Sequence, residues 1–480
     1  MKKFKLITLL LIGCVSFSNN FTLKDFLINI TKNDPAYSQL FINLQSIDGS
    51  IQSFQTLYDP KMSGSLEYTN QEEQLYSSGG TSVPLTAVQL VVGSVVLSKK
   101  LEDTGTNVSL TYMRLDNSSK LSTLNLSQIY PSLALRLTQP LLKDELGIYS
   151  KMPLNRLRLQ KEFIELSIKE AEEKYYHDAI NQYYDWVSLT LALEPLSISY
   201  KNAMILYEEV QEKYRNDAAL KTDLLQAENA VLIYRNALND TLYAWNSLGS
   251  NIYQKMGKKF TAVTKWENLP NRPEICEQFC QEEPILNLPT PRIIASLERT
   301  LKQYELDLEK INRENMTDLS IYGEVSRYKN TNSSSESFLG LDKTKYIAGI
   351  TFSTPLGQNS TEGQAKSILA NIKTTNQEIL KTKQTLETLY QNSLLNLANL
   401  KSIENNANKI ADNAKSILDI ESKRFSQGKT SLFSISDFRQ KYTQSKIDHQ
   451  NKIIAIAKLK TSIASQNDTL LDKINKLMER

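Results

Sequence analysis

Histidine and cysteine are scarce: the 480 residues include two histidines, His177 and His449, and three cysteines, Cys14, Cys276 and Cys280. That leaves little material for a nucleophile–base pair or a tetrahedral metal site, and no Gly-rich phosphate loop is present. No sign of charge dominates: 56 Lys+Arg stand against 53 Asp+Glu, and a net charge of +3 excludes the basic signature of a nucleic-acid binder. Glycine (16) and proline (13) are sparse for this length, which suits long helices with a minority of strands. Beyond residue 20 no stretch of about 20 apolar residues occurs, so a helical membrane span is excluded and any insertion into a bilayer must use strands. No cofactor, metal or nucleic acid is expected, and an exported enzyme is the weakest reading.

The chain opens with Lys2, Lys3 and Lys5, followed by the apolar run 6–13, too short to cross a bilayer and of the length of a signal-peptide core. Ser16-Phe17-Ser18 offers a small-x-small cleavage site, placing a leader at residues 1–18. Leu11-Ile12-Gly13-Cys14 offers the alternative of a lipidated Cys14. Ordinary cleavage is favoured, because the first amphipathic segment already begins at Phe21 and leaves few residues for a tether.

An order of helix, strands, long helix, long helix occurs twice, in a first repeat over residues 19–250 and a second over 290–480, with a connector at 251–289. In the first repeat, residues 61–68 alternate with period two. So do residues 132–138, with Leu133, Leu135 and Leu137 on one face and Ala134, Arg136 and Thr138 on the other. In the second, Leu319, Ile321 and Val325 alternate with polar neighbours, as do Tyr346, Ala348, Ile350 and Phe352. Such strands fit a transmembrane β-barrel, the alternative being the edge of a soluble sheet. Four strands cannot close a barrel, and lipid forbids open edges, so several chains must share one. Residues 88–97 and 107–115 read as a further hairpin around Asp103-Thr104-Gly105, whose placement the pattern leaves open.

The helical stretches are too long for a globular domain. Residues 362–425 predict a helix of roughly 90 Å at 1.5 Å per residue, with one seam position at Ile372, Ile379, Leu386, Leu400, Ala407 and Ala414 and another at Leu389, Ile403, Ile410 and Ile417. A turn near Gly428 returns the chain through Leu432, Ile435 and Phe438; the first repeat does the same, descending over 154–214, turning at Asp217-Ala218-Ala219 and returning over 224–245.

Taken together these features resemble the TolC-like outer-membrane efflux factors over nearly all of the chain beyond the leader. The likeness is carried by Leu135-Arg136-Leu137-Thr138-Gln139-Pro140-Leu141-Leu142 and Thr351-Phe352-Ser353-Thr354-Pro355-Leu356 at the strand exits. It is carried also by Arg424-Phe425-Ser426-Gln427-Gly428-Lys429-Thr430-Ser431 and the weaker 213–220 at the hairpin tips, and by Asp223-Leu224-Leu225-Gln226-Ala227-Glu228 beyond the first tip. The resemblance implies a mainly α protein with a β-barrel portion: a homotrimer whose shared transmembrane β-barrel, set in outer-membrane lipid, continues into a long α-helical coiled-coil barrel in the periplasm. It implies a passive duct of a tripartite efflux or type I secretion system, with a periplasmic adaptor and an inner-membrane transporter as partners. A pore-less periplasmic coiled-coil scaffold is the alternative; it explains the heptads but not the duplicated strands.

By this resemblance the adaptor-contacting tips are Gln427, Gly428, Lys429 and Thr430 in the second repeat and Asp217, Ala218 and Ala219 in the first. Asp217 stands where the family usually has Gly, which predicts a differently formed turn and weaker adaptor contact there. The pore constriction falls on Asp437, Ser434 and Asp223. Of the family's two acidic gate positions Asp437 is retained and Ser434 is not, while the arginine that Asp223 would meet is Thr430. A threefold ring of Asp437 would favour cations, against the alternative of a solvated surface carboxylate. In the connector, Cys276 and Cys280 form a candidate disulfide; the spacing also matches half a metal site, but no second pair or nearby His completes it.

Overall fold

A computed structural model describes residues 21–78, 81–121, 124–269, 273, 291–331, 340–357 and 359–479. The leader with Cys14, and Cys276 and Cys280 of the connector, lie outside the described residues. The chain forms two compact units, one drawn from the chain through Ile42, from Ser167–Ile294 and from Lys381 onward, the other from Asn43–Leu166 and Ala295–Leu380.

The second of these units holds one six-stranded antiparallel sheet in the order β1-β2-β3-β4-β5-β6. The strands are β1 (Lys61–Ser78), β2 (Thr81–Lys100), β3 (Asn107–Leu121), β4 (Leu124–Pro140), β5 (Asp318–Tyr328) and β6 (Lys343–Ser353). The sequence pattern leads one to expect four strands and an unplaced hairpin; instead the segments 88–97 and 107–115 are parts of β2 and β3, paired from Leu85↔Leu121 to Lys100↔Asn107, inside the same sheet. Residues 61–68 and 132–138 thus belong to β1 and β4, which are not neighbours. Period-two alternation reports which face a side chain takes but not which strand lies alongside.

Following the register across the sheet, Met62 faces Leu97, Leu97 faces Leu110, Leu110 faces Leu135, Leu135 faces Val325 and Val325 faces Tyr346. One face is therefore apolar on all six strands. The other is mainly polar, carrying Ser63, Ser94, Thr111, Ser132, Arg136, Glu324 and Thr351, and is interrupted by Val92 and Val96 of β2 and Met113 of β3. On that polar face Arg136 lies 3.8 Å from Glu324 and 4.0 Å over the ring of Tyr322.

After the short helices α2 (Pro35–Gln39) and α3 (Ile42–Gln55), helix α4 (Ile148–Arg215) is followed by α5 (Lys221–Lys255), and in the second repeat α7 (Asn359–Ser426) by α8 (Leu432–Gln466); α6 (Arg292–Glu314) precedes β5, and α9 (Leu470–Glu479) is the last described element. The paired helices have equal lengths, 68 and 35 residues, and start 211 positions apart, 148 against 359 and 221 against 432. The duplication is thus kept residue for residue through both hairpins. Within the first unit, α1 (Leu23–Asn33) lays Leu23, Phe26, Leu27 and Ile30 against Tyr183 and Trp186 of α4, Trp245 and Ile252 of α5, and Ile474 of α9. The two tryptophans pack tilted with ring centroids 5.0 Å apart; Trp186 donates its indole N–H to the Trp245 carbonyl at 3.1 Å and Trp245 donates its own to Thr190 Oγ1 at 2.9 Å, so their burial leaves no unsatisfied donor. Gly249 makes room for this pair: a Cβ there would meet the Phe260 ring at 2.8 Å.

Of the two expected seam positions on α7, the first is inward-facing but only partly closed, with Ile372, Leu386, Leu400, Ala407 and Ala414 half-buried, and the second is corrected. Ile379 is buried, and so is Thr375 at the start of the second position, but Leu389, Ile403, Ile410 and Ile417 are exposed, and Tyr390, Leu397 and Ala411 take the inner positions instead. Threonine, tyrosine and alanine are weak seam signals, whereas the isoleucines at sevenfold spacing look like core by type alone.

The second repeat begins at a buried ion cluster. Arg292 pairs with Glu173, which is 2% exposed, and with Asp468 at 3.2 Å, while its backbone N–H donates to the Asp468 carboxylate at 2.5 Å. Burial, with Asp468 adding repulsion, pushes the nearby Glu170 carboxyl above its ordinary value.

Candidate hairpin tips and constriction

Both hairpins turn in five residues, 216–220 and 427–431, and the two turns share one backbone. In the first, Ala218 N–H donates to the Lys213 carbonyl at 2.7 Å and Asp217 has φ +54°; in the second, Lys429 N–H donates to the Arg424 carbonyl at 2.8 Å and Gly428 has φ +70°. This is the left-handed helix stop in which one residue must take positive φ. The expectation of a differently formed first turn is thus corrected: Asp217 adopts the glycine geometry despite its Cβ. Lys213 and Arg215, and Lys423 and Arg424, sit in the last helical turns where the helix dipole favours cations.

Asp217, Ala218, Gln427, Gly428 and Lys429 are exposed, and Ala219 and Thr430 half-buried. The two tips are brought together by a core of Leu206 and Val210 from α4, Leu224 and Ala227 from α5, and Leu432 and Ile435 from α8. Lys213 of one tip lies 5.8 Å over the Phe425 ring of the other.

The 211-residue offset makes Asp223 and Ser434 counterparts, each at the third position of its return helix. Asp223 accepts from the Leu220 N–H at 3.1 Å, whereas Ser434 donates its own N–H to Ser431 Oγ at 3.2 Å. Both therefore serve helix starts, from opposite ends of the capping pattern. Asp437, three residues beyond Ser434 on α8, is half-exposed, pairs at 2.7 Å with Lys441 one turn on, and helps line a groove with Ala227, Ile233, Tyr234, Phe433 and Gln440.

Three residues escape a reading by sequence alone. Leu220 occupies the cap of α5, where a polar side chain belongs, and is 69% exposed; Phe433 is 65% exposed on the second tip. An apolar residue at a cap position was the available signal. Arg439, two residues past Asp437, donates to the Asn202 carbonyl of α4 at 3.3 Å, and a buried Ser199–Thr443 hydroxyl pair at 2.5 Å makes a second bridge between α4 and α8. Burial pulls the Arg439 guanidinium below its ordinary value. No local pattern marks it, because its partner lies 237 positions away.

No protein-family model matches the chain, and no curated relative is similar in sequence. Solved structures match over almost its whole length. The Campylobacter jejuni CmeC outer membrane channel aligns with TM-score 0.66 at 12% identity, covering 95% of this chain and 88% of that one. The outer membrane protein VceC from Vibrio cholerae aligns at 0.63 and 10%, covering 94% and 95%, and the open Neisseria gonorrhoeae MtrE outer membrane channel at 0.63 and 10%, covering 93% and 89%. The fold is that of the outer-membrane channels, as the resemblance implied.

Proposed function

We propose that the chain is one subunit of a trimeric outer-membrane channel that extends into the periplasm and serves as a passive export duct, supplied by an inner-membrane pump through a periplasmic adaptor. The observation that carries this reading is the two-faced sheet. Met62 (78% exposed), Leu66 (81%), Tyr346 (77%) and Phe352 (75%) lie on its apolar face, with serine, threonine and a paired Arg136–Glu324 on the other. An apolar face this wide requires hydrocarbon, and a polar opposite face requires water, which is the arrangement of a barrel wall with a wet lumen. A pore-less scaffold leaves the apolar face in water. The exposed stripe Leu389, Ile403, Ile410 and Ile417 on α7 gives a second copy a seam to cover.

The hairpin tips, with exposed Gln427, Gly428, Lys429, Asp217 and Ala218 flanked by Leu220 and Phe433, are the adaptor surface in this reading. Asp437 is the candidate constriction carboxylate, tempered by Lys441. Outer membranes from cells expressing the chain are expected to yield a trimer that dissociates on boiling; a soluble periplasmic monomer or dimer sinks the channel reading. In planar bilayers Asp437→Asn is expected to lower the preference for cations and Lys441→Gln to raise it. Unchanged reversal potentials in both would place Asp437 away from the ion path.

A further inference from the structure

We propose that β1 and β6 are the two seams of a shared wall to which each copy adds six strands, the β6 edge of one copy pairing antiparallel with the β1 edge of the next. This rests on the channel reading. Three copies then build a wall of roughly 18 strands, about half again as wide as the one that β3–β6 alone would supply, since barrel diameter grows nearly linearly with strand number.

The 211-residue offset singles out the extra pair. It carries the first residue of β3, Asn107, onto the first of β5, Asp318, and places β6 opposite the second half of β4. Among the described residues the β1–β2 hairpin therefore has no counterpart in the second repeat, where the offset carries β2 onto α6. It is nonetheless a full part of the sheet. β2 is paired with β3 from Leu85 to Lys100 and β1 with β2 from Lys61↔Ser98 upward, so this edge of β3 is occupied and a neighbouring copy can reach only β1. The base of the hairpin is fastened too. Lys100 at the end of β2 pairs with Asp144 at 2.8 Å, and the turn after β2 packs so closely that a Cβ on Gly105 would meet the Gly147 nitrogen at 2.8 Å.

Geometry identifies the occupant of the β1 edge. Six is even, so β1 and β6 run in opposite directions and copies related by rotation join antiparallel, as β1 to β5 already join their neighbours. The apolar belt also slants. In the row from Met62 to Tyr346, the apolar stretch of β1 continues from Met62 to Leu66 and Tyr68, whereas that of β6 continues in the opposite sense to Ile350 and Phe352. A drift of about six residues, or about 20 Å, over five strand spacings of about 4.8 Å is a tilt of about 40°. That lies within the range of closed barrels. A register that levels the two apolar stretches sets Met62 beside Phe352 and Tyr68 beside Tyr346, and so, on the polar face, Ser63 beside Thr351.

Cysteine cross-linking tests the seam in a chain whose Cys276 and Cys280 are replaced by Ser. Thr351→Cys is combined in turn with Lys61→Cys, Ser63→Cys and Ser65→Cys, all on the polar face, and with Met62→Cys on the opposite face as control. The single-cysteine chains report assembly. Mild oxidation of outer-membrane trimers is expected to convert at least one same-face pair, Ser63→Cys with Thr351→Cys foremost, into covalent trimers that survive boiling without reductant, and to leave the Met62→Cys control uncoupled. Trimers that form but stay uncoupled in all three same-face pairs, or that couple equally in the control, overturn the six-strand seam and leave the channel reading standing. Absence of any membrane trimer from the single-cysteine chains overturns both.

Discussion

The first hairpin turns on Asp217 and enters its return helix at Leu220; the second turns on Gly428 and enters at Ser431, with the same backbone and the same helix lengths. Farther along the 211-residue offset the roles reverse. The return helix of the first repeat ends on Gly257 at φ +68°, and that of the second on Asp468 at φ +54°. Aspartate thus holds a left-handed position once in each repeat, where the other repeat has glycine. Asp468 has a partner in Arg292 at 3.2 Å, whereas Asp217 is exposed at a tip. Equal backbones under unequal residues teach that the helix stop is set by the hydrogen-bond pattern, and that the residue at positive φ is free to be chosen for other ends.

The largest break in this symmetry is expected at Arg292, which has no counterpart role in the first repeat. Arg292→Met strips the 2%-exposed Glu173 of its cation, and loss of about 3–5 kcal/mol is expected for a buried charge left unpaired. A thermal midpoint in detergent equal to that of the parent would show the cluster to be dispensable.

Next comes the base of the inserted hairpin. Burial alone would raise the Asp144 pKa, but hydrogen bonds from Lys100 and Ser150 outweigh it and hold the carboxyl below its ordinary value. Because the folded pKa is the lower one, this stability is fully present above the unfolded value of about 3.9 and is lost as pH falls through the folded value. Asp144→Asn is expected to cost about 1.5–3 kcal/mol at neutral pH, with the gap to the parent closing below about pH 3.9. A gap constant from pH 7 to pH 2 would rule out the charge as its source.

Exchanging residues between repeats sharpens the comparison. Asp468→Gly relieves backbone strain yet is expected to destabilise by about 1–2 kcal/mol, since a charged hydrogen-bond acceptor is lost. Leu220→Ser, copying Ser431, is expected to stabilise by about 1 kcal/mol through a proper cap while weakening retention on an immobilised adaptor; unaltered retention would exclude Leu220 from the docking surface. Smallest is Asp217→Gly, with a gain of up to about 1 kcal/mol, mirrored by a similar loss in Gly428→Asp. Equal midpoints in all three Asp/Gly exchanges would remove the strain argument.

Much of the fold is legible in the amino-acid sequence. Long helices followed from the scarcity of glycine and proline, and two-faced strands from Leu133, Leu135 and Leu137 alternating with polar neighbours. The tips were located by Gly428 and by Asp217-Ala218-Ala219. The strand count was not legible, since alternation gives no neighbour. Nor was all of the inner seam of α7: Ile379 packs inward as expected, but so do Tyr390 and Ala411, while Ile403, Ile410 and Ile417 face out. Beyond the second tip the sequence singled out Asp437 and Ser434 but passed over Arg439, whose partner Asn202 is on another helix.

What the sequence determined by itself was periodic and local: helix or strand, the face each side chain takes, where a helix stops, and that the pattern occurs twice. These follow from the backbone's few allowed conformations and from repeats of 2 and 3.6 residues, which a linear string displays. Tertiary structure alone decided that β1–β2 joins β3–β6 in a single sheet, that α4 is fastened to α8 through Arg439 and Thr443, and that Arg292 meets Glu173 and Asp468. Each of these joins residues far apart in the chain, and such contacts are selected by shape, charge and the exclusion of water once the elements have met.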